Sequence, residues 1–73
     1  MEDEIAKRVA AAFPAAQVKI SLDGNRALIE VISDVFIDMS RVARQQSVYA
    51  CIEDYIADGR LHAVTIKAQP PGR

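Results

Sequence analysis

The sequence predicts an α+β domain: helix, strand, strand, short helix, long helix, strand, with a mixed three-stranded sheet carrying its helices on one face. Three observations predict it. Gln17-Val18-Lys19-Ile20-Ser21-Leu22 alternates strictly between apolar and polar residues, as a half-buried strand does. Asp23-Gly24 then signals a hairpin, because both residues tolerate the positive φ of tight turns, and hairpin-joined strands are antiparallel. A helical stretch separates this hairpin from a last apolar-rich run at 60–68, and such a crossover suits a parallel return.

Taken in order, residues 2–13 read as a helix in which Ile5, Val9, Ala12 and Phe13 repeat at helical spacing and Ala6 widens the stripe. Glu2, Asp3 and Glu4 stand at the positive end of its dipole, and Pro14 disfavours helical geometry for Phe13. Ala27 to Ile32 is a nearly continuous apolar run broken by Glu30, the composition of a central strand. Ser33 or Asp34 caps a short helical turn over residues 35–39. Ser40 caps a longer helix reaching about Asp58, with Val42, Val48, Tyr49, Ile52, Tyr55 and Ile56 on its apolar face. Gly59 stands where a helix commonly exits through a left-handed residue, and Pro70-Pro71-Gly72 closes a single domain spanning 1–73.

Seventy-three residues bury only about 60–65% of the surface of the unfolded chain, which leaves little core to hollow into a deep active site. Nine basic and ten acidic side chains give a net charge of −1, so no global field attracts a polyanion and a nucleic-acid role needs a local patch. Cys51 is the only cysteine, which rules out an intramolecular disulfide. The acidic start Met1-Glu2-Asp3-Glu4 is unlike a secretory signal, and no apolar run approaches the ~18 residues of a membrane span. The expected compartment is the cytoplasm, with no membrane partner.

With the elements placed, several segments resemble the BolA family, in its IbaG-like bacterial branch. They are Asp34-Val35-Phe36, Met39-Ser40-Arg41-Val42, Arg44-Gln45-Gln46, Val48-Tyr49, Tyr55-Ile56-Ala57-Asp58 and the run from Leu61-His62 to Lys67-Ala68. The resemblance covers about residues 18–68, and the first helix matches only in pattern. It implies a fold similar to the type II KH domain and a monothiol glutaredoxin as partner. The two proteins of such a pair share a [2Fe–2S] cluster or meet in a cluster-free interface. The family histidine associated with cluster ligation matches His62. Met39, Ser40, Arg41 and Arg44, with Leu61, Ala63 and Lys67, would supply the docking surface. The chain departs from the family pattern in three ways. The hairpin turn offers Arg26 where the family often has a second His or Cys ligand, Asp38 replaces a glycine, and no Trp-bearing extension follows Gln69.

The residues themselves admit two readings of His62. Alternation in the last strand puts His62, Val64 and Ile66 on one face and Leu61, Ala63, Thr65 and Lys67 on the other. His62 is then either a structural histidine at the margin of the core or, as the resemblance implies, a ligand or interface residue. A [2Fe–2S] cluster needs about four donors, and this chain has one histidine and one cysteine. Cys51 flanks an apolar helical stripe, where a free cysteine behaves as a small hydrophobe. The expectation is therefore a protein, monomeric when alone, that binds no cluster by itself and depends on a partner's thiolates.

Arg41, Arg44 and Lys67 read as a solvated helix end, as charges beside a partner's thiolate, or as phosphate contacts. The segment Ile37-Asp38-Met39-Ser40 lacks the GXXG glycines of a KH clamp, which weighs against RNA. A DNA-binding regulator of stress response is the alternative class. No nucleophile motif, phosphate-cradling loop or pair of metal-spaced histidines is present, and Glu53-Asp54 are adjacent carboxylates pointing apart on a helix. The expected role is an adaptor of iron–sulfur metabolism, not an enzyme.

Overall fold

The structure, a computed structural model, describes residues 1–72. Helix α1 (Glu2–Ala12) leads into the hairpin of β1 (Gln17–Asp23) and β2 (Arg26–Ile32). A single 3-10 turn (Asp34–Phe36), α2 (Arg41–Tyr49), α3 (Glu53–Ala57) and β3 (Ala63–Gln69) complete the chain. The strands lie in the order β1-β2-β3. β1 and β2 are antiparallel from Gln17↔Ile32 to Asp23↔Arg26, while β2 and β3 are parallel from Arg26↔Ala63 to Ile32↔Gln69. The mixed sheet of the sequence reading is therefore present, with β2 in the centre.

The hairpin turn is Gly24 and Asn25, one residue on from the Asp23-Gly24 signal. Gly24 has φ +61°, and among the described residues no other residue type has positive φ, which matches a turn with glycine at its first central position. Ala27, Ile29 and Val31 are buried and face the helices, together with Ile5 and Val9 of α1 and Val48 of α2. The rings of Phe13 and Phe36 pack tilted at 5.3 Å and close one end of the core. The other face of the sheet is open: Lys19 pairs with Glu30, and Glu30 in turn with Lys67. β2 is thus central by its hydrogen bonding, but its burial alternates, and its nearly apolar composition does not mean that both faces are covered.

Two expectations need correction. The helix read as running from 40 to about 58 is two helices. The Cys51 and Ile52 amides donate to the carbonyls of Val48 and Tyr49, three residues back, and Ile52 leaves helical geometry at φ −130° and ψ 15°. This tightened turn seats Val48, Ile52 and Tyr55 fully in the core, while Val42 stays 65% exposed and Tyr49 38% exposed. No glycine or proline marks the break; the fit to the sheet places it.

The last strand begins at Ala63, not near 60. Residues 60–62 form the approach to it, so strand alternation does not yet apply there. Leu61 turns into the core at 1% exposure, its amide donating to the Tyr55 carbonyl at 3.0 Å, while His62 turns outward. From Ala63 on the alternation holds, with Val64, Ile66 and Ala68 half-buried and Ala63, Thr65 and Lys67 exposed.

Candidate functional site around His62

His62 is held by its backbone and open at its side chain. Its amide donates to the Asn25 carbonyl at 2.8 Å, and the Ala63 amide reaches the same oxygen at 3.4 Å. The last residue before β3 is thereby tied to the hairpin turn at the head of the sheet. On the helical side the imidazole lies over Gly59, where an added Cβ would come 4.0 Å from Nε2. Gly59 has φ +84°, a conformation that other residues rarely adopt, and it ends α3 as the sequence suggests. The reading of His62 as a histidine at the core margin does not hold, because the side chain is exposed.

A small clamp fixes the approach to this point. Tyr55 is fully buried, its hydroxyl donating to a Glu4 carboxylate oxygen, and its ring lies between two guanidinium groups, Arg60 at 3.9 Å and Arg8 at 4.7 Å. Asp54 bridges them, 2.6 Å from Arg8 and 3.5 Å from Arg60, and Arg60 is bound again by Asp58 at 2.8 Å. The hydrogen bond from Arg8, then the two positive charges, hold the Asp54 carboxyl below its ordinary range, and Arg8 is raised in return. The sequence did not show how α1 joins this clamp, because Arg8 and Asp54 lie 46 residues apart and Glu4 and Tyr55 lie 51 apart.

The donor set is sparse. Among the described residues no three His, Cys, Asp or Glu side chains converge as a metal site. Cys51 is partly buried, its thiol donating to the Ser47 carbonyl at 3.7 Å, and burial pushes its pKa up, the opposite of what a thiolate ligand requires. Arg26, the first residue of β2, pairs with Ala63 beside His62 and is not a metal donor. One exposed imidazole is a single donor, where a [2Fe–2S] cluster needs about four.

The expected docking residues divide into three groups. Met39 is half-buried against the core, and its carbonyl accepts from Arg44 Nε at 3.0 Å; Ser40 caps α2 by accepting the Ala43 amide at 3.1 Å. Asp38 needs no glycine-like backbone, since its φ is negative. Leu61 belongs to the core and not to the docking surface, while Ala63 is exposed next to His62. Arg41, Arg44 and Lys67 do come together, lining one open cleft. The cleft lies toward the far end of β3, where Lys67 stands about 16 Å along the strand from His62 at ~3.3 Å per residue.

A three-stranded mixed sheet with three helices on one face defines a class of small α+β domains. The chain belongs to the BolA-like protein family, whose profile matches residues 10–73. It is 41% identical over 69 residues to the acid stress protein IbaG of Escherichia coli K12, covering 94% of this chain and 82% of that protein. It is 38% identical over 66 residues to an uncharacterised Acinetobacter guillouiae protein, covering 90% and 80%. Among solved structures, BolA1 of Arabidopsis thaliana superposes with a TM-score of 0.84 at 19% identity, covering 96% of this chain and 90% of that one. The BolA domain of SufE1 from the same plant gives 0.85 at 20%, covering 96% and 91%. No described helix is long and apolar enough to cross a membrane.

Proposed function

We propose that this BolA-like protein is a non-catalytic adaptor of iron–sulfur metabolism that shares a [2Fe–2S] cluster with a monothiol glutaredoxin. The carrying observation is the exposed imidazole of His62, fixed in the backbone by Asn25 and Leu61 at the head of the sheet. His62 supplies one ligand to one iron, and the partner supplies thiolates. Ala63 and the hairpin turn flank the contact, while Met39 and Ser40 act by shaping the start of α2. The relative named as an acid stress protein agrees with a stress-linked setting for such an adaptor.

The test mixes the purified protein with a monothiol glutaredoxin under cluster reconstitution and follows the visible spectrum. His62→Ala should alter the charge-transfer bands of the mixed species and shorten its lifetime. An unchanged spectrum and lifetime would remove His62 as a ligand and leave a cluster-free interaction domain.

A further inference from the structure

The strand order places β1 at one edge of the sheet, and the direction of its peptide groups follows from the bonds of β2. The His62 amide donates to the Asn25 carbonyl and the Ser33 amide to the Gln69 carbonyl. Odd-numbered positions along β2 therefore turn their N–H and C=O groups toward β3, and even-numbered positions turn theirs toward β1. The register then makes Asp23, Ser21, Lys19 and Gln17 the hydrogen-bonded partners of Arg26, Leu28, Glu30 and Ile32. The peptide groups of Val18, Ile20 and Leu22 are left facing outward. Among the described residues, no backbone hydrogen bond outside the β1–β2 ladder reaches residues 17–23. The side chains of Val18, Ile20 and Leu22 are half-buried against the core, while Lys19, Ser21 and Asp23 are exposed on the open face of the sheet. Neither Lys19 nor Asp23 enters an ion pair among the described residues.

We infer that two copies of this chain associate through β1, antiparallel about a two-fold axis at Ser21, joining their sheets into one of six strands. Such a contact requires an edge that complements itself. With the axis at Ser21, Ile20 stands opposite Leu22 of the second copy, and both present outward peptide groups for hydrogen bonds. Lys19 stands opposite Asp23 of the second copy, twice over, at non-hydrogen-bonded positions where side chains lie closest. The other axes fail. One at Lys19 sets like charges opposite, and one at Ile20 or Leu22 leaves both charges without an opposite partner. An axis between two residues sets outward peptide groups against inward ones. A lysine on an edge strand ordinarily discourages pairing, and this register supplies each lysine with an aspartate. Only residues 19–23 of β1 pair, well short of a standard interface, so the dimer is weak and the expected monomer is its dilute form. β3 remains at the outer edge of each copy, and the inference does not depend on His62 or on any cluster.

The experiment is sedimentation equilibrium of the whole protein, without iron or glutaredoxin, from about 10 μM to about 1 mM. A monomer–dimer equilibrium is expected within that range. Lys19→Asp and Asp23→Lys should each weaken it about fivefold or more, and the two exchanges combined should restore it. Both positions are exposed, so the monomer fold should tolerate them. Ser21→Cys, made together with Cys51→Ala, should give a covalent dimer under mild oxidation, because the two thiols face each other across the axis. A protein that stays monomeric throughout, a double exchange that associates no better than the single ones, or no crosslink from Ser21→Cys would overturn the proposal. Failure here leaves the cluster reading intact, and failure of the His62 spectrum leaves this one intact.

Discussion

Leu61 and His62 are neighbours with opposite fates, and the difference comes from where β3 starts. Had the strand begun at 60, alternation would have put Leu61 outside with Ala63 and Lys67. Because pairing begins at Ala63, Leu61 is free to rotate into the core and its amide is captured by Tyr55. Leu61→Ala should accordingly cost about 2–5 kcal/mol, the range for emptying a buried leucine site. Chemical denaturation would show it as a lower midpoint with little change in slope. A cost under about 0.5 kcal/mol, typical of surface positions, would restore Leu61 to the outside. Cys51, read as a small hydrophobe on the flank of an apolar stripe, is partly buried and packs against the core, its thiol donating to the Ser47 carbonyl.

At the scale of elements, α1 and α3 are joined by the Tyr55 clamp, and its charge balance has a pH signature. Asp54 has a folded-state pKa below its unfolded value of ~3.9, so its contribution is complete above that pH and is lost as pH falls through the folded value. The stability gap between the wild type and Asp54→Asn should be constant near neutrality and should narrow in acid below about pH 4. Thermal midpoints measured across that range check it; a gap that persists unchanged into strong acid would mean the carboxylate is not coupled to folding. These groups are largely exposed, so the gap itself is expected to be small. The same clamp explains why the α2–α3 break matters for the site. A continuous helix to 58 would leave no tightened turn at 50–52, and Tyr55, Gly59 and the approach to His62 would be set by different geometry.

Seen whole, the molecule has two ends along β3: the exposed imidazole of His62 at the start and the cleft of Arg41, Arg44 and Lys67 at the finish. Among the described residues, no three His, Cys, Asp or Glu side chains gather into a metal-sized group. Reconstitution of the isolated protein with iron and sulfide, followed by desalting, should leave no visible chromophore. A stable coloured species without a second protein would contradict the adaptor proposal.

Element types, the hairpin, the parallel return, the Ser40 cap and the Gly59 exit were all legible in the sequence. Each depends on local rules, namely the period of apolar residues, a few turn and cap residues, and the handedness of crossovers. The family membership was legible for the same reason, since its motifs are contiguous. Tertiary structure alone decided the split of the long helix, the inward turn of Leu61, the exposure of His62 and the distance between His62 and the Arg41 cluster. Those outcomes depend on tertiary contacts such as that of the His62 amide with the Asn25 carbonyl and on the register of β3 against β2, and a linear period carries no information about either.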